Sequence, residues 1–211
     1  MTVAEYLRRI NPVYKNNQGR REARQGHQSF KQGRSAMRRE RRAYHEAGHA
    51  VAIYRLGVEV KFATILPDHD CGGYVAHGDL FCDRARGSDR ANLERAIQIC
   101  LAGPLAEARF YPRYHRPRRS HDYDCAFALA RYLTGWGARE FIRYQERQTR
   151  ALLDRYWGDV ERVARALLEH DQLSGTRVKD IIEAPRRLER EDREDKQRWI
   201  EAMAADESEL I

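Results

Sequence analysis

Long hydrophobic stretches are absent from this sequence of 211 residues. Charged residues make up 34% of the chain, and the mean hydropathy is −0.82. No apolar run approaches the roughly 20 residues that a membrane helix needs. The basic start of the chain is not followed by the apolar segment of a signal peptide. We therefore expect a cytoplasmic protein that has no membrane partner.

Cysteine is scarce, and none of the four residues forms a C-x-x-C pair: Cys71, Cys82, Cys100 and Cys125. This spacing argues against a structural zinc knuckle. Cys100 and Cys125 fall in apolar helical stretches, where buried and reduced thiols are expected. A disulfide between Cys71 and Cys82 is disfavoured in a cytosolic protein. The sequence also contains no G-x-x-x-x-G-K-[ST] motif, so no ATP site is expected.

Positive charge is concentrated near the N-terminus. Residues 1–42 hold 12 Lys and Arg against 3 Asp and Glu, whereas residues 43–211 hold 27 against 29. Residues 1–36 are poor in apolar side chains, which predicts a flexible basic arm. Such an arm is either a solubilising tail or a weak nucleic-acid contact through residues 1–42. A second charge-rich segment, residues 186–211, is predicted to be a charged C-terminal tail.

Residues 37–185 are predicted to form one domain that is mainly α-helical with a small β-hairpin or sheet, an α+β fold. Helical periodicity predicts the helices 35–56, 88–110 (perturbed at Gly103-Pro104), 122–135 and 139–170, with a short helix before Pro185. Alternating residues predict the strands 58–66 and 74–77. Leu173-Ser174-Gly175 is predicted to be a turn.

The strongest chemical signal is His45-Glu46-Ala47-Gly48-His49, which fits the zinc-peptidase pattern H-E-x-x-H. Residues i and i+4 of a helix lie on one face, so both imidazoles can bind one metal ion. Glu46 lies about 100° around the helix, where its carboxylate can act as general base on water beside the metal. The flanking residues are largely apolar, which predicts a buried helix whose polar groups need partners.

A third ligand remains to be found, because catalytic zinc usually takes three protein ligands and keeps one position open. The chain lacks the longer H-E-x-x-H-x-x-G-x-x-H pattern. Spacing alone leaves ten alternatives open: His69, Cys71, His77, Asp79, Cys82, Glu107, His115, His121, Asp122 and Asp124. Spacing also does not distinguish zinc from another divalent metal.

A collinear series of motifs between about residues 43 and 183 resembles the peptidase domain of the FtsH-type ATP-dependent zinc proteases. The matching segments are residues 44–51, Thr64-Ile65-Leu66-Pro67, Gly73-Tyr74-Val75, residues 101–107, residues 120–126, and residues 166–169 with 173–175. The resemblance implies a zincin-like, FtsH-type peptidase domain without the ATPase module. Pro104 and Asp68 depart from the family pattern, in which arginines are usual, so the contacts with substrate or neighbouring subunits are expected to differ.

The resemblance implies that Asp122 is the third zinc ligand, with Asp124 as the alternative or supporting carboxylate in the same turn. Without the resemblance, Asp122 is predicted to be a helix N-cap. Glu107 is expected either to orient a ligand histidine or to be a surface carboxylate.

The function implied is zinc-dependent hydrolysis of peptide bonds in unfolded or extended polypeptides, without ATP, with Glu46 as the catalytic base. A strand at the cleft edge, either 62–66 or 73–76, is expected to pair with the substrate, so Ile65, Gly73 and Tyr74 are candidate substrate-binding residues. Expected protein partners are further copies of the chain or a separate unfoldase. The alternative is a catalytically silent, peptidase-fold binding protein with a nucleic-acid-binding arm, which the presence of Glu46 disfavours.

Overall fold

Helices dominate the computed structural model, which describes residues 30–67, 73–78, 89–112 and 120–184. The elements in chain order are α1 (Phe30–Arg55), β1 (Val60–Thr64), β2 (Tyr74–His77), α2 (Asp89–Phe110), α3 (His121–Thr134), α4 (Ala138–Arg155), α5 (Trp157–His170), β3 (Gln172–Ser174) and α6 (residues 175–184). This confirms the prediction of a mainly helical α+β chain. The predicted arm and tail lie outside the described residues, apart from the start of α1. None of the described helices combines the length and apolar character that crossing a membrane requires.

Three antiparallel strands form one small sheet in the order β2-β1-β3. β1 therefore lies in the middle, which corrects the expectation that residues 62–66 can form a cleft edge. β3 replaces the predicted turn at 173–175, because three residues are too few for a strand period to be detected. A Cβ atom on Gly175 would lie 1.7 Å from the Val60 carbonyl oxygen, so only glycine lets α6 begin this close to β1.

Helix α1 is the centre of the core and packs against α2, α5 and β1. Small residues let α1 and α2 approach closely: a Cβ atom on Gly48 would lie 2.5 Å from the Ala106 Cβ and 2.7 Å from the Ala102 carbonyl oxygen. Large apolar side chains, including Ile53, Ile97, Leu101, Leu129 and Leu167, are almost completely buried around this contact. Burying one such side chain contributes roughly 1.5–3 kcal/mol. The core thereby holds the motif helix rigidly.

The predicted helix 139–170 is two helices, α4 and α5, which separate at Tyr156. Tyr156 has the non-helical angles φ −117° and ψ 26°. The Arg55 guanidinium lies 4.2 Å from the Tyr156 ring centroid and also pairs with Asp159 in the first turn of α5. These contacts with α1 come from outside the segment, so its own apolar periodicity did not predict the break.

Two further helix predictions are corrected. The N-cap of α3 is Ser120, whose hydroxyl accepts a hydrogen bond from the Tyr123 backbone N–H at 3.2 Å, so Asp122 is not the cap. Helix α2 continues through Pro104 and is not interrupted at Gly103-Pro104. Asp122 is therefore in the first turn of α3, with its carboxylate available for other contacts.

Candidate metal centre

Three side chains from two helices converge on one point. The Nε2 atoms of His45 and His49 on α1 are 3.1 Å apart. The Asp122 carboxylate, from the first turn of α3, has Oδ2 3.1 Å from the His45 Nε2 and Oδ1 3.9 Å from the His49 Nε2. One ligand atom from each residue lies within 4.8 Å of the others. The packing of α3 against α2 and of α2 against α1 brings these sequence-distant groups together.

The spacing of these atoms fits a tetrahedral metal ion. Zinc bonds to nitrogen and oxygen are ~2.0–2.2 Å long, so tetrahedral ligand atoms lie roughly 3.3–3.5 Å apart. The two Nε2 atoms are 3.1 Å apart, and the Asp122 carboxylate reaches them with different oxygens, Oδ2 at 3.1 Å from His45 and Oδ1 at 3.9 Å from His49, so the separations lie close to that value. Two imidazole nitrogens and one carboxylate oxygen are a normal set for zinc, and they leave the fourth position open. The residues therefore fit the metal that the motif predicts.

Both imidazoles are oriented by a contact at their second nitrogen. The His49 Nδ1 lies 2.8 Å from the Ile99 carbonyl oxygen of α2, which can only accept, so Nδ1 carries the proton and leaves Nε2 free for a metal. The His45 Nδ1 lies 3.2 Å from Oε2 of Glu107. Glu107 is only 8% exposed and accepts hydrogen bonds from Arg41 at its other oxygen, at 2.8 Å for Arg41 Nε. Its burial and its contact with a ligand histidine distinguish Glu107 from a surface carboxylate, and both place it to orient His45.

Gly103 is a residue of this site that sequence reasoning missed. A Cβ atom there would lie 2.2 Å from the His49 Nε2 and 2.6 Å from the His49 Cδ2. The backbone of α2 therefore lies directly against the ligand ring, at a distance that only glycine allows. The available signal is a glycine inside a helix, which often marks close backbone approach, but beside Pro104 the same glycine predicts a perturbed helix instead.

The charges around the centre favour a cation. Burial lowers the pKa of His49 to about 4 and so keeps its ring neutral. Burial also disfavours charge on His45, but hydrogen bonds with Asp122 and Glu107 outweigh it and raise the pKa to about 10. Burial opposes ionisation of Asp122, yet the His45 hydrogen bond and the nearby His49 lower its pKa to about 2. Without a metal, the positive charge beside the ionised Asp122 carboxylate is the proton on His45, and a divalent cation bound there would take the place of that proton.

Glu46 is buried beside these ligands, with 5% of its surface exposed. Burial raises the pKa of its carboxyl group to about 7, against the opposing effect of the neighbouring His45. A Cβ atom on Gly73, just before β2, would lie 2.9 Å from the Glu46 Oε1 and 2.7 Å from the Thr64 carbonyl oxygen. The carboxylate thus lies between the ligand histidines and the start of β2.

Most of the other candidate ligands are placed elsewhere or lie outside the described residues. Asp122 alone among the described alternatives joins the two histidines. Asp124 is exposed, His121 is exposed and 3.6 Å from the Cys125 Sγ, and the His77 Nδ1 lies 2.7 Å from the Gly78 carbonyl oxygen. The remaining candidates lie outside the described residues: His69, Cys71, Asp79, Cys82 and His115.

The candidate substrate-binding residues divide into two groups. Ile65 is 2% exposed, its N–H donates to the Asp171 carbonyl at 2.9 Å, and its carbonyl accepts from Arg42 at 2.8 Å. Its side chain is in the core and its backbone groups are already bonded, which corrects the prediction for Ile65. Gly73 and Tyr74 are half-buried at the start of β2, where the Tyr74 ring packs edge-on against Phe62. They remain candidates.

The fold and the site together define a class of protein. Its members are mainly helical and carry H-E-x-x-H on a buried helix, with an aspartate from a later helix beside the two histidines. No protein-family model matches the chain. The chain is 30% identical, over 178 residues, to the ATP-dependent zinc metalloprotease FtsH 1 of Symbiobacterium thermophilum. That alignment covers 71% of this chain, which spans 30% of the length of the relative. The similarity indicates a distant FtsH-like relationship.

Proposed function

We propose that the protein is a zinc-dependent endopeptidase that cleaves unfolded or extended polypeptides without ATP. The observation that carries this proposal is the convergence of His45, His49 and Asp122 on one point, with the Glu46 carboxylate buried beside them. The geometry suits zinc, and the distant similarity to a zinc metalloprotease supports the same chemistry.

His45, His49 and Asp122 would hold the zinc ion, and Glu46 would move the proton. Zinc, when bound, supplies a Lewis acid that lowers the pKa of water and polarises a carbonyl group. Glu46 takes a proton from the attacking water at a carboxylate oxygen and passes it to the nitrogen of the leaving amine. The pKa of about 7 that burial gives Glu46 suits a group that must both accept and donate near neutral pH.

The outer edge of β2 is the proposed substrate-binding strand. β2 pairs with β1 on one side, and among the described residues its other side has no strand neighbour. Gly73 lies against Glu46, so a substrate strand along residues 73–76 would pass beside the base. Backbone hydrogen bonds along such an edge make little demand on substrate sequence, which suits cleavage of unfolded chains.

Cleavage of casein by the zinc-loaded protein without ATP, measured beside Glu46→Gln, tests the proposal. Glu46→Gln keeps the shape of the side chain but removes the base, so cleavage should fall at least hundredfold while zinc content stays unchanged. Glu40→Gln is the matched control, because Glu40 is exposed on the same helix and should leave cleavage unchanged.

Two outcomes would contradict the proposal. Undiminished cleavage by Glu46→Gln would show that another group is the base or that a contaminant cleaves. Absence of cleavage by the wild-type protein, with one zinc bound per chain, would favour the catalytically silent binding protein.

A further inference from the structure

Exposed aromatic side chains are concentrated at the turn between α3 and α4, away from the metal-binding residues. Of the five large hydrophobic side chains that are exposed in the described residues, three are aromatic and fall within residues 132–144: Tyr132, Trp136 and Tyr144. Trp136 is completely exposed, at 102% of its reference area, in the turn Gly135–Gly137. Tryptophan is usually well buried, so a fully exposed ring with two further exposed aromatic residues in the same short segment makes this segment a candidate contact surface.

Four exposed arginines follow this turn along α4, and we call them the arginine stripe: Arg139, Arg143, Arg147 and Arg150. At 100° per residue they lie within an arc of about 80°, and they extend over roughly 16 Å of helix. Residues on the adjoining face of α4, among them Ile142 and Leu153, are buried. The stripe is therefore held in one orientation toward solvent by a packed helix.

The arginine stripe has no ion-pair partner in the described part of the chain. Six other arginines form ion pairs with carboxylates there: Arg39, Arg41, Arg55, Arg90, Arg109 and Arg162. Asp154, near the end of α4, is paired with Arg109, so the carboxylates beside the stripe are the exposed Glu140 and the buried Glu146. Four arginines against these two carboxylates give this face a net positive charge, which suits an anionic partner.

A small cavity adjoins the arginine stripe. Arg139 and Arg143 line a space of about 290 Å³ together with Tyr123, Phe127 and Ile142. This volume is just below the usual range for drug-sized ligands, and it suits one planar ring. Its walls are aromatic and aliphatic, and two guanidinium groups complete it, so a flat apolar ring linked to an anion matches its chemistry.

We propose that this surface binds single-stranded nucleic acid. The arginine stripe contacts successive phosphates, and bases stack on Trp136 and enter the cavity beside Arg139 and Arg143. Exposed guanidiniums beside aromatic faces are the combination that sequence-tolerant binding of single strands uses. An anionic membrane fits less well, because the exposed aliphatic residues needed for insertion, Met37 and Leu66, are outside this segment. None of the residues invoked is a proposed metal ligand, although Tyr123 follows Asp122 directly in α3, and the proposal uses none of residues 1–42.

The test measures binding of a fluorescent single-stranded oligonucleotide of about 15 nucleotides to the full chain at several salt concentrations. Arg139→Ala/Arg143→Ala should weaken binding at least tenfold and reduce the slope of log K against log salt by about 1.4, at about 0.7 per lost phosphate contact. Arg95→Ala/Arg177→Ala is the matched control: it removes the same charge from exposed positions on other helices and should leave the slope unchanged. Trp136→Ala should weaken binding about fivefold or more, and the oligonucleotide should quench tryptophan fluorescence only when Trp136 is present.

Three results would overturn the proposal. Equal weakening by the two double variants would mean that overall charge, including that of residues 1–42, accounts for binding. Equal affinity for a duplex of the same sequence, with no effect of Trp136→Ala, would remove the role of stacking. Polyglutamate or anionic vesicles that displace the oligonucleotide at equal charge concentration would indicate a general anion-binding surface instead.

Discussion

Arg41 and Arg143 carry the same guanidinium group in opposite surroundings. Arg41 binds the buried Glu107, which contacts His45, so its charge is used to orient a ligand of the candidate metal centre. Arg143 is exposed on α4, and no carboxylate in the described residues pairs with it. One region of the molecule has its charged groups bound to each other, whereas the other presents them to solvent.

This difference in partners predicts different consequences of mutation. In the metal centre each polar group holds the next one, so removing one leaves another buried without a partner. On the arginine stripe each side chain acts alone, so a substitution should change binding without changing the fold. Mutations whose effects on metal binding, thiol reactivity and stability are measured separately can therefore show whether the two regions differ in this way.

The largest effect is expected for His45→Ala. This substitution removes one of three ligands, so zinc affinity should fall at least hundredfold, beyond the 10–100-fold typical of losing an orienting residue. Metal content after dialysis against a weak chelator, measured by inductively coupled plasma mass spectrometry, should drop from one zinc per chain to almost none. His121→Ala is the control, because His121 is exposed and outside the ligand group. Retained zinc in His45→Ala would refute the assignment of the centre.

The next largest effect is expected for the reactivity of the Cys125 thiol on α3. This helix contributes Asp122 to the metal centre and Tyr123 and Phe127 to the cavity beside the arginine stripe. Burial, reinforced by the charges of Asp122 and Asp124, raises the pKa of the Cys125 thiol to about 11. At pH 8 little thiolate is present, so iodoacetamide should modify Cys125 roughly a hundredfold more slowly in the folded protein than in urea. Peptide mass spectrometry at timed intervals measures this rate.

The same raised pKa makes the free energy of unfolding depend on pH. The folded pKa of Cys125 is raised, so its contribution to stability is fully present below the unfolded pKa of about 8.5 and is lost as the pH rises toward 11. Rapid alkylation of the folded protein at pH 8 would show that this side of α3 opens to solvent.

A smaller effect is expected for Gly103→Ala, which changes no ligand. The added methyl group would fall 2.2 Å from the His49 Nε2, so the ring or α2 must move. We expect zinc affinity to fall roughly tenfold or more, within the range for residues that orient metal ligands. Gly137→Ala is the matched control, because its Cβ atom would come no closer than 3.9 Å to the neighbours of the turn. Unchanged affinity in Gly103→Ala would mean that α2 does not press on His49.

The features that sequence predicted well are those set by local periodicity. The positions of α1, α2 and α3 agree with the predicted helices to within a few residues, because each has a long apolar repeat. The proximity of His45 and His49 likewise follows from helix geometry alone. The choice of Asp122 came from family resemblance, because no spacing rule connects residue 49 to residue 122.

The features that sequence missed depend on contacts between distant segments. β3 is a strand because Leu173 pairs with Ala63, and the break at Tyr156 follows contacts with Arg55. The close approach of Gly103 to His49 and the hydrogen bonds from Arg41 to Glu107 likewise join separate helices. The arginines of the stripe recur at helical spacing in the sequence, but which arginines have a carboxylate partner depends on the folded arrangement.

The smallest effect, and the most direct test of the comparison, contrasts Arg41→Ala with Arg143→Ala. Arg41→Ala leaves Glu107 buried without its guanidinium partner, so the free energy of unfolding should fall by about 1–3 kcal/mol. Arg143→Ala removes an exposed side chain and should change that free energy by less than about 0.5 kcal/mol. Urea denaturation of both variants and the wild type, each with zinc removed, measures the difference. Equal destabilisation would mean that Arg143 contributes to the stability of α4. The distinction between the two regions would then fail, because the stripe arginines would be part of the fold and not a surface available for binding.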